Sequence, residues 1–124
     1  MTMKYLMLIK HEESLRSATV PESLYAAMGE FVTEAMQSGK IIDTAGLKPT
    51  SAAWSVKMGG RKLTVVDGPF AESKEIVGGY ALADLKTMAE ARELAQKFMQ
   101  LHLEHWPDFE GACEVRPLED EQPC

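Results

Sequence analysis

Read as a string of apolar and polar positions, the chain changes period several times. Met3 to Ile9 (MKYLMLI) is a dense apolar run of strand length, and the polar stretch from His11 to Val20 follows it. So few polar breaks predict a buried central strand. Side chains alternate between the two faces of a strand. The even positions include Lys4 while Met3, Tyr5 and Met7 carry no charge, so the odd set is expected in the more buried layer.

From Pro21 to Ser38 the period becomes helical. Leu24, Met28, Phe31, Val32, Ala35 and Met36 mark one apolar face. Pro21 suits the first helical position, where its missing N–H would have had no partner. Gly39 suits the residue that ends a helix. Lys40 to Asp43 reads as a short strand entry before a turn at Gly46 to Thr50. Ala52 to Lys57 and Lys62 to Val66 are strand-like runs on either side of Met58-Gly59-Gly60-Arg61, which is a hairpin signal. Val77 to Ala83 is a further strand. Thr87 to Leu103 is a second helix, with Ala91, Leu94, Ala95 and Phe98 on its apolar face. Thr87 followed by Glu90 has the spacing of a capping box. Ala112 to Arg116 is a last strand, stopped by Pro117.

The resulting order, β-α-β-β-β-α-β, predicts an α+β fold: a ferredoxin-like antiparallel sheet with two helices on one face and the hairpin in its middle. A sheet covered on one side only leaves an apolar face exposed, which predicts a homodimer. The 124 residues suit one domain, taken as 1–118, followed by a mobile acidic tail at 119–124.

Composition narrows the partners. The net charge is −6, from 13 basic and 19 acidic residues, and the longest basic cluster is Arg61-Lys62. Phosphate binding needs a concentrated basic surface, so nucleic acid is not expected as a partner. No run reaches the roughly 20 apolar residues of a membrane helix, so no membrane association is expected. Cys113 and Cys124 make no disulfide framework, and a reducing, cytoplasmic setting fits them.

The candidate chemistry gathers after the hairpin. Asp67 leaves its strand into Gly68-Pro69-Phe70, where Pro69 fixes its own φ and bars helix at Gly68. That sharp exit puts Asp67 at a sheet end, with Glu72, Lys74 and Glu75 close behind. Carboxylates set around one ammonium and shielded from water can act as acid and base, because each raises the other's pKa toward working pH. The plain alternative is turn chemistry beside a solvated loop. His11, at the end of the first strand, could stand at the rim of the same cleft; its alternative is a solvated ring beside Glu12 and Glu13. The candidate catalytic set is therefore Asp67, Glu72 and His11. Lys74, Glu75, Arg61 and Phe70 are the candidate ligand-binding groups.

His102 and His105 read as a helix-end pair favoured by the C-terminal dipole rather than as a metal site, since no third ligand is placed. Trp54 and Trp106 could each stack on a ligand, but buried packing is the default reading. There is no phosphate-cradling glycine loop, no Cys-x-x-Cys and no nucleophile elbow, so no cofactor is implied.

The stretch Leu63 to Tyr80, LTVVDGPFAESKEIVGGY, carries Asp67-Gly68-Pro69-Phe70 and then Glu72, Lys74, Glu75, Gly78, Gly79 and Tyr80. It resembles the DGPF branch of the YCII-related proteins. The opening MKYLMLI and the closing Glu114-Val115-Arg116-Pro117 are similar to that family's ends. The resemblance implies a ferredoxin-like fold whose sheet packs on a second copy as a dimeric α/β barrel. It also implies two readings of function. One is a cofactor-independent enzyme acting on a small organic molecule. Asp67 would be its general base, Glu72 or His11 the partner, and Lys74 or Arg61 would orient an anionic substrate. The other is a non-catalytic binding or regulatory accessory linked to sigma-factor signalling. Some YCII-related proteins pair a first-helix histidine with an aspartate as catalytic dyad. Pro21 to Ser38 contains no histidine, so that dyad is denied to this chain.

Overall fold

The structure, a computed structural model, describes residues 2–17, 19–70 and 75–119. Residues 120–124 of the expected tail lie outside the described residues. In chain order the strands and α-helices are β1 (Met3–His11), α1 (Glu22–Gln37), β2 (Ile41–Gly46), β3 (Trp54–Gly59), β4 (Lys62–Asp67), β5 (Ile76–Leu85), α2 (Met88–His105) and β6 (Gly111–Pro117). Two short 3-10 turns, Glu13–Ser17 and Thr50–Ala52, join them.

Four strands form one sheet in the order β2-β5-β1-β6, and every pairing in it is antiparallel. Two β-α-β units interleaved this way are the ferredoxin-like arrangement. The hairpin β3-β4 is not in the middle of that sheet, contrary to expectation. It forms a two-stranded sheet of its own. The cause is β2. The segment that reads as a brief strand entry runs on to Gly46 and pairs directly with β5, Ile41 opposite Ala83 and Thr44 opposite Ala81. With β2 hydrogen-bonded to β5, no place remains between them, and the hairpin is looped out. The described residues therefore hold one strand more than the apolar pattern predicts.

In β1 the odd residues face the helices, as the placement of Lys4 predicts. Tyr5 and Met7 are buried, while Leu6 and Leu8 are half-buried on the opposite face. Tyr5, Met7, Ile41, Ala83 and Leu85 from the sheet pack with Ala35 of α1 and with Ala91 and Leu94 of α2. Each fully buried large side chain contributes about 1.5–3 kcal/mol by leaving water.

Pro21 stands at the N-cap of α1, one residue before the helix, and supplies no side-chain cap. Gly39 follows the last turn at φ +80°, the left-handed conformation that a Cβ disfavours. In α2 the Oγ1 of Thr87 accepts the Glu90 N–H at 3.1 Å. The Glu90 carboxylate reaches back to the N–H of Lys86 at 2.9 Å, one residue earlier than a capping box would place it.

Candidate functional site

The helix-covered side of the sheet is not filled. A cavity of about 390 Å³ lies between it and the two helices. That volume is within the roughly 300–1,000 Å³ of small-molecule sites. Strand register explains its floor. Ile9, Gly79 and Gly46 form one row across β1, β5 and β2, and Met7, Ala81 and Thr44 form the next. Two glycines in the first row leave bare backbone where other sheets carry side chains. Met28, Phe31 and Val32 of α1 and Phe98 of α2 also line it. This accounts for the first helix: Met28, Phe31 and Val32 keep the helical period but are only half-buried, because they border a space.

Two imidazoles line the same cavity. His102 falls on the buried stripe of α2 with Ala91, Leu94 and Ala95. Its ring packs edge-on to Phe98 and tilted against Phe109, at centroid distances of 5.0 and 4.8 Å. Its Nδ1 lies 3.1 Å from the carbonyl oxygen of Phe98. A carbonyl only accepts, so Nδ1 carries the hydrogen, and in the neutral ring Nε2 is left as a bare acceptor. Burial pushes the His102 pKa below its ordinary value of 6.5, against a smaller upward effect of the Phe98 hydrogen bond.

His11 repeats the arrangement. Its Nδ1 donates to the carbonyl of Glu12 at 2.8 Å, which again leaves Nε2 free. The register of β1 on β5 slips between Ile9 and Lys10, so Gly78 is the extra residue of a bulge. A Cβ on Gly78 would run into the His11 ring. The first glycine of the Gly78-Gly79 pair thus makes room for an imidazole, and the second belongs to the floor. His11 also faces Phe109 edge-on, at a centroid distance of 6.4 Å. Cys113 of β6 completes this end, and burial pushes its thiol pKa up, so it stays protonated.

No Asp, Glu, Lys or Arg lines the cavity among the described residues. Of its polar groups, Thr44 donates its hydroxyl to the Tyr80 carbonyl at 2.8 Å; the Tyr80 side chain alternates to the other face of the sheet, where its hydroxyl donates to Asp43 at 2.8 Å. Asp43 raises the Tyr80 pKa through that bond and its charge. Among the described residues no group of three or more His, Cys, Asp or Glu is placed to hold a metal.

Of the residues singled out in the sequence, His11 lines the cavity. Asp67 does not: it ends β4, exposed, opposite Trp54. Glu75 is exposed before β5, and Arg61 is exposed in the hairpin turn at φ +64°. Phe70 is half-buried. Glu72 and Lys74 lie outside the described residues.

The Asp67-Gly68-Pro69-Phe70 motif has a visible structural task. The Gly68 N–H donates to the Ala53 carbonyl at 2.8 Å, and the Gly68-Pro69 bond is cis. A Cβ on Gly68 would overlap the Thr50 carbonyl. Thr50 in turn donates its N–H and hydroxyl to Oε1 of Glu13, at 3.0 and 2.8 Å. The motif therefore closes the root of the hairpin onto the turn at Thr50–Ala52, and Glu13 holds that turn.

One expectation needs correction: Trp54 is not buried within the chain, being 68% exposed. His102 stands with His105 in the last turn of α2, as expected of a helix-end pair, but its ring is buried beside the cavity. The apolar period carried the signal: position 102 continues the stripe through 91, 94, 95 and 98.

The family model of the YCII-related domain matches residues 3–101. This chain belongs to the YCII-related family. The match runs from β1 through most of α2, and so takes in the cavity floor, α1 and the hairpin. His102, Phe109 and Cys113 of this YCII-related protein lie beyond it. A protein of Rhizobium meliloti, named only as uncharacterized, is 32% identical over 119 residues, covering 94% of this chain and 92% of its own length. In the present YCII-related chain α1 supplies no imidazole to the cavity, whereas the end of β1 and the last turns of α2 do.

Proposed function

We propose that this YCII-related protein works as a homodimer that binds a small organic molecule in the cavity and moves a proton on it, without a cofactor. Nε2 of His102 is the general base, and His11 assists. The observation that carries this reading is the tethering of Nδ1 in both rings to a backbone carbonyl. In the neutral ring each tether leaves Nε2 as the acceptor, and both rings line the apolar cavity. A general base needs an open lone pair within hydrogen-bond reach of its substrate. Burial keeps His102 neutral near pH 7, so it is ready to accept a proton.

The dimer reading is supported by the face of the sheet away from the helices. Leu6 sits opposite Leu82, and Leu8 opposite Tyr80. Lys10 and Glu114 border them in a salt bridge of 3.2 Å. An apolar centre with a charged rim is the anatomy of a subunit interface.

The test starts with native mass spectrometry to identify a co-purifying ligand, followed by exchange of its acidic carbon-bound hydrogens in deuterated buffer. Wild-type protein is expected to accelerate exchange, and His102→Gln to lower the rate by about 100-fold or more. Exchange that is unchanged in His102→Gln but lost in Asp67→Asn would transfer the role of base to Asp67, with Glu72 as its partner. Lys74, Glu75, Arg61 and Phe70 would then be the groups holding the ligand. A ligand that binds without any accelerated exchange would make the protein a binding or regulatory accessory instead.

A further inference from the structure

We infer that the ligand of this cavity is an uncharged, flat, largely apolar molecule that presents one N–H or O–H donor to an imidazole Nε2. The inference rests on the reading of the cavity as a binding site, and it specifies what fits there.

Charge is excluded first. The cavity wall offers no cation to a carboxylate or phosphate and no anion to an amine, among the described residues. A charged ligand would lose its hydration with no partner in return, at a cost of several kcal/mol that apolar contacts do not recover. An uncharged ligand meets the opposite situation, because nearly every group it touches is aliphatic or aromatic.

Shape follows from the floor. Gly46 and Gly79 are paired across β2 and β5 and carry no side chain. Ala81 and Thr44 in the next row are small. The neighbouring strands therefore present a nearly smooth backbone surface. Phe31 and Phe98, whose rings lie 5.7 Å apart, line the same cavity. A flat molecule can lie on the peptide groups of the floor and also meet aromatic rings. A bulky three-dimensional one would leave the floor unfilled.

The donor follows from the hydrogen bonds. Thr44 commits its hydroxyl hydrogen to a backbone carbonyl, and the donors of Tyr25 and Trp106 also border the cavity, while at the histidine end His11 and His102 each keep Nε2 without a protein partner among the described residues. An apolar cavity with unused acceptors selects a ligand that brings a donor, because a buried acceptor left unpaired is costly.

The probes are indole, N-methylindole and indole carboxylate, which share one flat frame and differ only in donor and charge. Binding is read by isothermal titration on the full chain. Indole is expected to bind about tenfold more tightly than N-methylindole, the value of one hydrogen bond. Indole carboxylate is expected to show no binding. Gly46→Leu locates the site. A Cβ at Gly46 meets nothing within 4 Å and its φ is not left-handed, so the variant folds while its side chain fills the floor. It is expected to abolish indole binding with an unchanged circular dichroism spectrum and melting temperature. If the carboxylate binds as tightly as indole, and Gly46→Leu removes it, the ligand class is wrong while the cavity remains a binding site. If N-methylindole equals indole, the donor requirement is wrong. If no probe shows binding sensitive to Gly46→Leu, the ligand class and the reading of the cavity both fall.

Discussion

The four-stranded body and the β3-β4 hairpin follow the same rule of alternation, with opposite results. In the body, the residues that alternate toward the helices, except Met3 at the start of β1, are buried or border the cavity. In the hairpin, Trp54, Val56 and Met58 of β3 and Leu63 and Val65 of β4 share one face by register, Val56 opposite Val65 and Met58 opposite Leu63. All five are 61–79% exposed. The patterns are alike; the difference is cover. Helices α1 and α2 roof the four-stranded sheet, and this face of the looped-out hairpin is left exposed. A contiguous exposed apolar ribbon is the kind of surface that association covers. It adds to the case for association made by Leu6, Leu8, Leu82 and Tyr80.

The largest expected effect contrasts two leucines. Leu85 is 2% exposed in the core and Leu63 is 72% exposed on the hairpin. Leu85→Ala should cost about 2–5 kcal/mol of stability. Leu63→Ala should stay within about 0.5 kcal/mol. Urea titration measures both, and equal losses would show that the hairpin face is covered in solution.

Association comes next. Leu8→Glu places a charge in the middle of the open sheet face, and Val56→Glu does so on the ribbon. Light scattering at micromolar concentration should report a dimer for the wild type and a monomer for Leu8→Glu. A dimer that survives Leu8→Glu and is lost in Val56→Glu would move the interface from the sheet to the hairpin.

A smaller effect concerns pH. His102 has its folded pKa lowered, so below about pH 6.5 the unfolded chain binds this proton more readily than the folded one. The stability linked to the neutral ring is complete above that pH and is lost as pH falls toward the folded value. His102→Leu should flatten the melting temperature between pH 7 and about pH 5. A slope identical to wild type would mean that the ring is not desolvated.

Gly78→Ala and Asp67→Asn close the series. The first pushes a methyl into the His11 ring, and should weaken indole binding while lowering stability by about 1–3 kcal/mol, as overpacking does. The second keeps the shape of the hairpin root, and should change stability by less than about 0.5 kcal/mol and leave indole binding unchanged. Loss of binding in Asp67→Asn would bring the charged loop back into the site.

Much of the architecture could be read from the apolar period. The helical stripes of α1 and α2, the odd-numbered face of β1, the hairpin turn and the capping threonine at Thr87 all follow from local preferences, and local preferences act through near neighbours in the chain. The extent of β2 could not be read, because Asp43 and Gly46 break its apolar pattern; its pairing with β5 carries the strand through them. The position of the hairpin depends on that pairing and was hidden for the same reason. The site divides along the same line. The sequence by itself determined which residues can do chemistry, and it drew attention to Asp67 because charges cluster after it. Only the tertiary structure decided that His11 and His102, 91 positions apart in the chain, line one cavity, with each Nδ1 held by a carbonyl. Proximity between distant segments comes from packing, and side-chain spacing along the chain carries no record of it.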